Sequence, residues 1–263
     1  MRLQDCATRR SGPDECLAPK AVRGRWNWWG RGPILALVLG IGLAACAYHG
    51  NFDDPIQRRF QWYSFIGGDD IKADCRQGTS GKLDRYRFVY NGRYAEQLRA
   101  YELVGDSAGG AYLTARATGA YANLAHVTLN DPLGPLRWKE SRAPLGATEF
   151  NAIKQALEAD GFLQPPKTVG RRFSSNGFYW LVSGCREGQF HFGAWIYPTQ
   201  DFLALHFPAL LLARDQTGLA FNKAHAVPYG ETDSSPSRPI EEGANAPFSI
   251  TIRADGVGGG TLF

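Results

Sequence analysis

The sequence predicts an α+β, β-rich domain: an antiparallel meander of hairpin-linked strands with one main helix. Three observations predict it. Between Asp84 and Asn130 run successive alternating segments rich in Tyr, Val, Thr and Leu. Asn176 to Tyr197, "NGFYWLVSGCREGQFHFGAWIY", reads as a further hairpin. Gly146 to Gly161 is the stretch that places apolar residues at helical spacing between a start and a stop signal.

Taken in order, Arg59 to Ile66, "RFQWYSFI", is aromatic and fits either a strand or a short helix. The following Gly67-Gly68-Asp69-Asp70 offers Asp69 or Asp70 as the cap of a helix leading to Cys75. In "RYRFVYNGRYAEQLRAYELV" the pair Asn91-Gly92 separates two alternating runs, the signature of a two-residue type I′ turn. That turn sets Tyr90 opposite Arg93, Val89 opposite Tyr94, Phe88 opposite Ala95 and Arg87 opposite Glu96, the last an oppositely charged pair. Ala111 to Thr118 and Tyr121 to Asn130 complete a four-strand meander. In the main helix Phe150, Ile153, Ala156 and Leu157 share a face, Thr148 caps the start and Gly161 the end. The later hairpin turns at Glu187-Gly188, and its almost continuously apolar arms read as central strands. "FLALHFPALLLARDQTG", interrupted by Pro208, is apolar and of either type. From Tyr229 onward Pro, Ser and Gly dominate, apart from "FSITIR", Phe248 to Arg253, which alternates as a short strand.

The N-terminal part carries an address. Arg23, Arg25 and Arg31 precede an uncharged apolar run of thirteen residues, Pro33 to Ala45, which is too short to span a bilayer as a helix but suits the core of a signal peptide. The run ends in Leu43-Ala44-Ala45-Cys46. Basic flank, short apolar core and small residues before a cysteine resemble the signal of a bacterial lipoprotein. The resemblance covers Arg23 to Cys46 and implies cleavage before Cys46 and acylation of that cysteine. The residue after it is Ala47 rather than aspartate, which by the same resemblance implies an outer-membrane protein facing the periplasm. Met1 to Ala21 is polar and precedes the basic flank, so the expected translation start is Val22. The expected organisation is a presequence over 1–45, a lipidated tether over 46–58, a single β-rich domain over 59–228 and a tail over 229–263. The mature sequence also looks like uncharacterised proteobacterial envelope proteins, a resemblance that carries no activity.

Charge supports this division. Seven of the 29 Lys and Arg residues and three of the 25 Asp and Glu residues precede Cys46, which leaves 22 of each in the mature chain. A neutral mature chain lacks the basic balance expected of a nucleic-acid-binding protein. Of five cysteines, Cys6 and Cys16 lie in the presequence and Cys46 receives lipid, so Cys75 and Cys185 remain as an even pair for a disulfide in an oxidising compartment. No H-E-x-x-H, C-x-x-C, Walker or EF-hand pattern occurs, so no metal or cofactor is expected.

One stretch argues for an enzyme. Gly105-Asp106-Ser107-Ala108-Gly109-Gly110 looks like the nucleophile elbow of the hormone-sensitive-lipase-like esterases, and Asp201 and His225 follow in that family's order. An elbow needs a buried parallel strand before the serine, whereas Glu96, Arg99 and Glu102 alternate along this one and a short turn ties it to its predecessor. Ser107 therefore reads as the tip of a hairpin. The leading expectation is a non-enzymatic lipoprotein, a binding or envelope-assembly module held to the membrane by its lipid, with an envelope protein, lipid or glycan as partner. An envelope serine hydrolase using Ser107 is the alternative. The candidate ligand face is Trp180, His191 and Trp195, whose amphipathic rings suit a sugar or a lipid at a cleft.

Overall fold

A computed structural model describes residues 55–78, with side chains from Gln61, and residues 83–94, 96–119, 138–226 and 248–258. Cys46, most of the expected tether and the expected strand from Tyr121 to Asn130 lie outside the described residues.

The chain is α+β and β-rich. Helices α1 (Pro55–Gly67) and α2 (Asp69–Gln77) lead into β1 (Arg85–Gly92), β2 (Leu98–Gly105), β3 (Ala111–Ala117) and β4 (Lys139–Leu145). Helix α3 (Ala147–Ala159) follows, then β5 (Arg172–Ser174), β6 (Phe178–Arg186) and β7 (Gln189–Ile196). Two short helices, α4 (Gln200–Leu203) and α5 (Phe207–Leu212), and strands β8 (Ser249–Arg253) and β9 (Gly256–Gly258) complete it. Six strands form one antiparallel sheet in the order β4-β3-β2-β1-β6-β7, and β5-β8-β9 form a small second sheet.

Both faces of the large sheet are covered, which is why the central strand β6 reads as a nearly unbroken apolar run. On one face Phe88, Tyr101, Leu103, Trp180 and Val182 pack under Phe150, Ile153 and Leu157 of α3 and Phe207 and Leu211 of α5. On the other, Val89, Ala100, Tyr179, Leu181 and Phe192 pack under Trp62, Phe65 and Ile66 of α1 and under Ile250 and Ile252 of β8. Burying a side chain of this size contributes about 1.5–3 kcal/mol, and the two clusters anchor α1, α3, α5 and the small sheet to the large one. The "FSITIR" stretch thus packs into the same body as the strands before it.

The disulfide expected from the cysteine count is present. Cys75 on α2 and Cys185 on β6 are bonded, with Cα atoms 5.6 Å apart, and Ile71 packs beside them.

The first hairpin forms in a different register from the expected one. Asn91 and Gly92 lie inside β1, and the chain turns after Gly92, with Arg93 at φ 58° and its carbonyl accepting from the Glu96 N–H (2.7 Å). The strand continues because a third element offers partners: Asn91 Nδ2 donates to the carbonyls of Ser175 (2.9 Å) and Gly177 (2.6 Å), while Gly92 pairs with Phe178 on β6. The carboxamide that would stabilise a local turn is spent on tertiary bonds. Arg87 consequently faces Glu102 instead of Glu96, and Tyr90 faces Arg99 instead of Arg93. The later hairpin does turn at Glu187-Gly188, whose φ values of 53° and 81° are those of a type I′ turn. Of its arms, β6 is central and β7 is an edge, apolar because α2 and the loop after α3 lie against it.

The fourth strand of the meander among the described residues is β4, "KESRAPL", which no alternation marked. It is an exposed edge, where charges and Pro144 are tolerated because they discourage further pairing. Helix α3 starts at Gly146 rather than being capped by Thr148: the Glu149 carboxylate reaches back and accepts from the Gly146 N–H at 3.1 Å.

An ionic ladder crosses the sheet on the α1/α2 side. Arg87, 1% exposed, donates through Nη1 and Nη2 to both oxygens of Asp70 (2.7 and 2.8 Å), through Nε and Nη2 to Glu102 (2.9 and 2.6 Å), and to the Phe65 carbonyl (3.0 Å). Arg85 joins Asp70 to Asp74, and Arg116 joins Glu102 to Glu140. Burial works against ionisation of Glu102, but Arg87 and then Arg116 outweigh it and hold its carboxyl down at about 2.

Candidate functional site

The loop from Asp160 to Arg171, running from the end of α3 toward β5, walls one side of a cavity of about 310 Å³. The loop is fixed at both edges of the body. Thr168 Oγ1 donates to the Ala194 carbonyl of β7 (3.0 Å), and Gly170 N and Arg171 O bond Ile252 of β8 (2.9 Å each). The opposite wall comes from α4 and the turn into α5, with Thr199, Asp201, Ala204 and His206. Gly193, Ala194 and Trp195 of β7 form the floor. Gly193 is required there by close approach: a Cβ on it would lie 2.4 Å from Cη2 of Trp195, whose ring folds back over the bare backbone.

Asp160 and His206 form a pair at this cavity. The Asp160 side chain is 2% exposed and accepts from His206 Nδ1 (2.6 Å) and from the backbone N–H groups of His206 (2.9 Å) and Phe207 (3.1 Å). One carboxylate therefore satisfies the open start of α5 and orients an imidazole that is itself exposed. With Nδ1 held by Asp160, Nε2 is the ring nitrogen left for a ligand. On the same rim Lys167 Nζ donates to Asp201 at 2.9 Å.

Among the three residues of the expected ligand face, Trp195 reaches the cavity. Trp180, directly opposite it on β6, is 2% exposed and packs between Tyr90 and Phe207 with ring centroids at 4.8 and 5.3 Å. His191 points to the same side as Trp195 but rests half-buried against Phe162 at 5.8 Å, outside the cavity lining. Burial and the nearby Arg186 push the His191 imidazole below its ordinary value, against a backbone hydrogen bond at Leu163.

Ser107 sits at the exposed tip of the hairpin joining the antiparallel strands β2 and β3. Asp106 Oδ1 accepts from the N–H groups of Ala108 (2.8 Å) and Gly110 (2.9 Å) and closes the turn. Gly109 adopts φ 86°, and a Cβ on Gly110 would lie 2.6 Å from the Leu145 carbonyl. Turn geometry thus accounts for the Gly-x-Ser-x-Gly spelling. Asp201 is engaged by Lys167, and His225 bonds the Lys223 carbonyl (3.0 Å) and stands edge-on to Phe178.

Among the described residues no three His, Cys, Asp or Glu side chains gather as a metal site, and no helix is long and apolar enough to cross a membrane. No family model, curated protein or solved structure matches the chain. The Asp160–His206 pair was not foreseen, since 46 residues separate its members and no local pattern announces the contact.

Proposed function

We propose that this protein is a lipid-anchored binding module on the periplasmic face of the outer membrane, non-enzymatic, which holds a small polar envelope-derived molecule in the cavity beside Trp195. The observation that carries the reading is the cavity itself: an apolar floor ringed by polar groups, built between backbone-anchored walls. At about 310 Å³ it lies at the lower end of the range for small-molecule sites and suits a ligand of one or two sugar rings rather than an acyl chain or a protein segment. The Cys75–Cys185 disulfide supports an oxidising compartment. The anchor rests on the likeness of Leu43 to Cys46 to a lipoprotein signal.

Ligand-observed NMR against a panel of monosaccharides and disaccharides tests the binding reading, with Ala204→Trp as the control that fills the cavity from its exposed rim. Sugars that bind the wild type and lose binding in a folded Ala204→Trp variant are the expected result. Binding that Ala204→Trp leaves unchanged, or no binding across the panel, overturns the reading. For the anchor, palmitate labelling that Cys46→Ser abolishes is expected; unlabelled wild-type protein in the soluble periplasm contradicts it.

A further inference from the structure

We infer that the molecule taken by this cavity is a small organic anion, a carboxylate or phosphate carried on a compact ring, and that Arg171 is the residue that selects it. The inference rests on the reading of the cavity as a ligand site and adds the charge of the ligand.

Most polar groups around the cavity already have partners on the protein. Asp160 is saturated by two backbone N–H groups and the His206 ring, and Asp201 by Lys167. The Thr168 hydroxyl is committed to the Ala194 carbonyl and the Thr199 hydroxyl to the Ile196 carbonyl (2.6 Å). Arg171, by contrast, has no carboxylate partner among the described residues, although its backbone is held on both sides by Thr168 (3.0 Å) and Ile252 (2.9 Å). The Gln164 side chain is likewise uncommitted among the described residues. The groups left to meet a ligand are thus a guanidinium on a fixed backbone, a carboxamide and the Nε2 of an imidazole oriented by a carboxylate.

Both carboxylates at the cavity already have partners on the protein, while the Arg171 guanidinium has no carboxylate partner among the described residues. A ligand that brings its own negative charge completes the set, and a guanidinium fork matches a carboxylate or a phosphate through two parallel hydrogen bonds. A neutral sugar would leave that fork facing water. Ala159, Pro165, Ala194 and the edge of Trp195 give the ring of such a ligand an apolar bed.

Isothermal titration of the purified, detergent-solubilised protein with glucuronate, glucose 6-phosphate and glucose tests the inference on one ring with three charges. At least one of the two anions is expected to bind about tenfold or more tightly than glucose, the amount one charge-assisted contact supplies. Which of the two binds tells a carboxylate from a phosphate ligand. Arg171→Gln should bring the anion down to the affinity of glucose and leave glucose unchanged. Glucose binding as tightly as both anions, or an anion preference that survives Arg171→Gln, overturns the inference while the cavity reading stands. Absence of binding by all three overturns the inference; the wider sugar panel with Ala204→Trp then decides the cavity reading separately.

Discussion

Arg87→Met tests the energetic centre of the fold. The substitution keeps an unbranched side chain against Phe65, whose ring lies 4.1 Å from the guanidinium carbon, and removes the charge. Asp70 and Glu102, at 16% and 15% side-chain exposure, then lose the buried cation that bonds both of them and share only Arg85, at 2.7 and 3.7 Å. Breaking a buried ion pair by deleting one partner costs about 3–5 kcal/mol. Here Asp70 keeps Arg85 at 2.7 Å and Glu102 keeps Arg116 at 2.9 Å, which places the expected loss near the lower end, about 3 kcal/mol at neutral pH. The effect has a pH signature. The Glu102 carboxyl is lowered from 4.5 to about 2, so its ionised form stabilises the fold fully above about 4.5, and that contribution is lost as pH falls toward 2. Without Arg87, burial opposes ionisation with only Arg116 (2.9 Å) and the more distant Arg85 (3.7 Å) against it, and this acid-dependent stability shrinks. Urea unfolding with the disulfide intact, run from pH 7 to pH 2, should therefore show a gap between wild type and variant that narrows through the acid range. A variant within about 0.5 kcal/mol of wild type at pH 7, or a gap constant with pH, would refute the reasoning.

Three further outcomes follow from other parts of the structure. Replacing Cys75 or Cys185 by serine opens a crosslink across 110 residues and should lower stability by up to about 4–5 kcal/mol in urea unfolding; oxidised wild type should titrate no free thiol at either position. Gly193→Ala puts a methyl group 2.4 Å from Cη2 of Trp195, so the ring must turn away; a loss of about 1–3 kcal/mol is expected, with a changed near-ultraviolet dichroism spectrum, and an unchanged spectrum would contradict the placement. Ser107→Ala, at an exposed hairpin tip, should shift stability by less than about 0.5 kcal/mol, and a fluorophosphonate probe should leave the wild-type serine unlabelled; labelling would revive the elbow reading.

What could be read from the sequence was what local physics decides. Glu187-Gly188 turns as its letters indicate because both residues are exposed and the tertiary bond they make, from the Glu187 N–H to Asp84 Oδ1 (3.1 Å), is compatible with the two-residue turn. Phe150, Ile153 and Leu157 face the core because spacing on a helix leaves no other way to bury them. The cysteine pair followed from counting. Asn91-Gly92 misled because its strongest partners, the Ser175 and Gly177 carbonyls, are more than eighty residues away. Strand β4 was illegible because an edge strand carries charge and proline for the same reason that it is an edge. The cavity was visible only through Trp195: its other walls come from a loop fixed by Thr168 and Ile252, and its one oriented histidine depends on the distant Asp160.

The most direct test of the central claim, that the cavity beside Trp195 is where this protein binds its ligand, is the ¹⁵N-indole spectrum. Four tryptophans follow Cys46, and they report separate places: Trp195 on the cavity floor, Trp180 in the core beneath α5, and Trp62 and Trp138 in contact with each other on the opposite side of the sheet. Titration with glucuronate or glucose 6-phosphate should shift the Trp195 signal in a saturable way and leave Trp62 and Trp138 in place. A saturable shift at Trp62 or Trp138 with Trp195 unmoved would contradict the account.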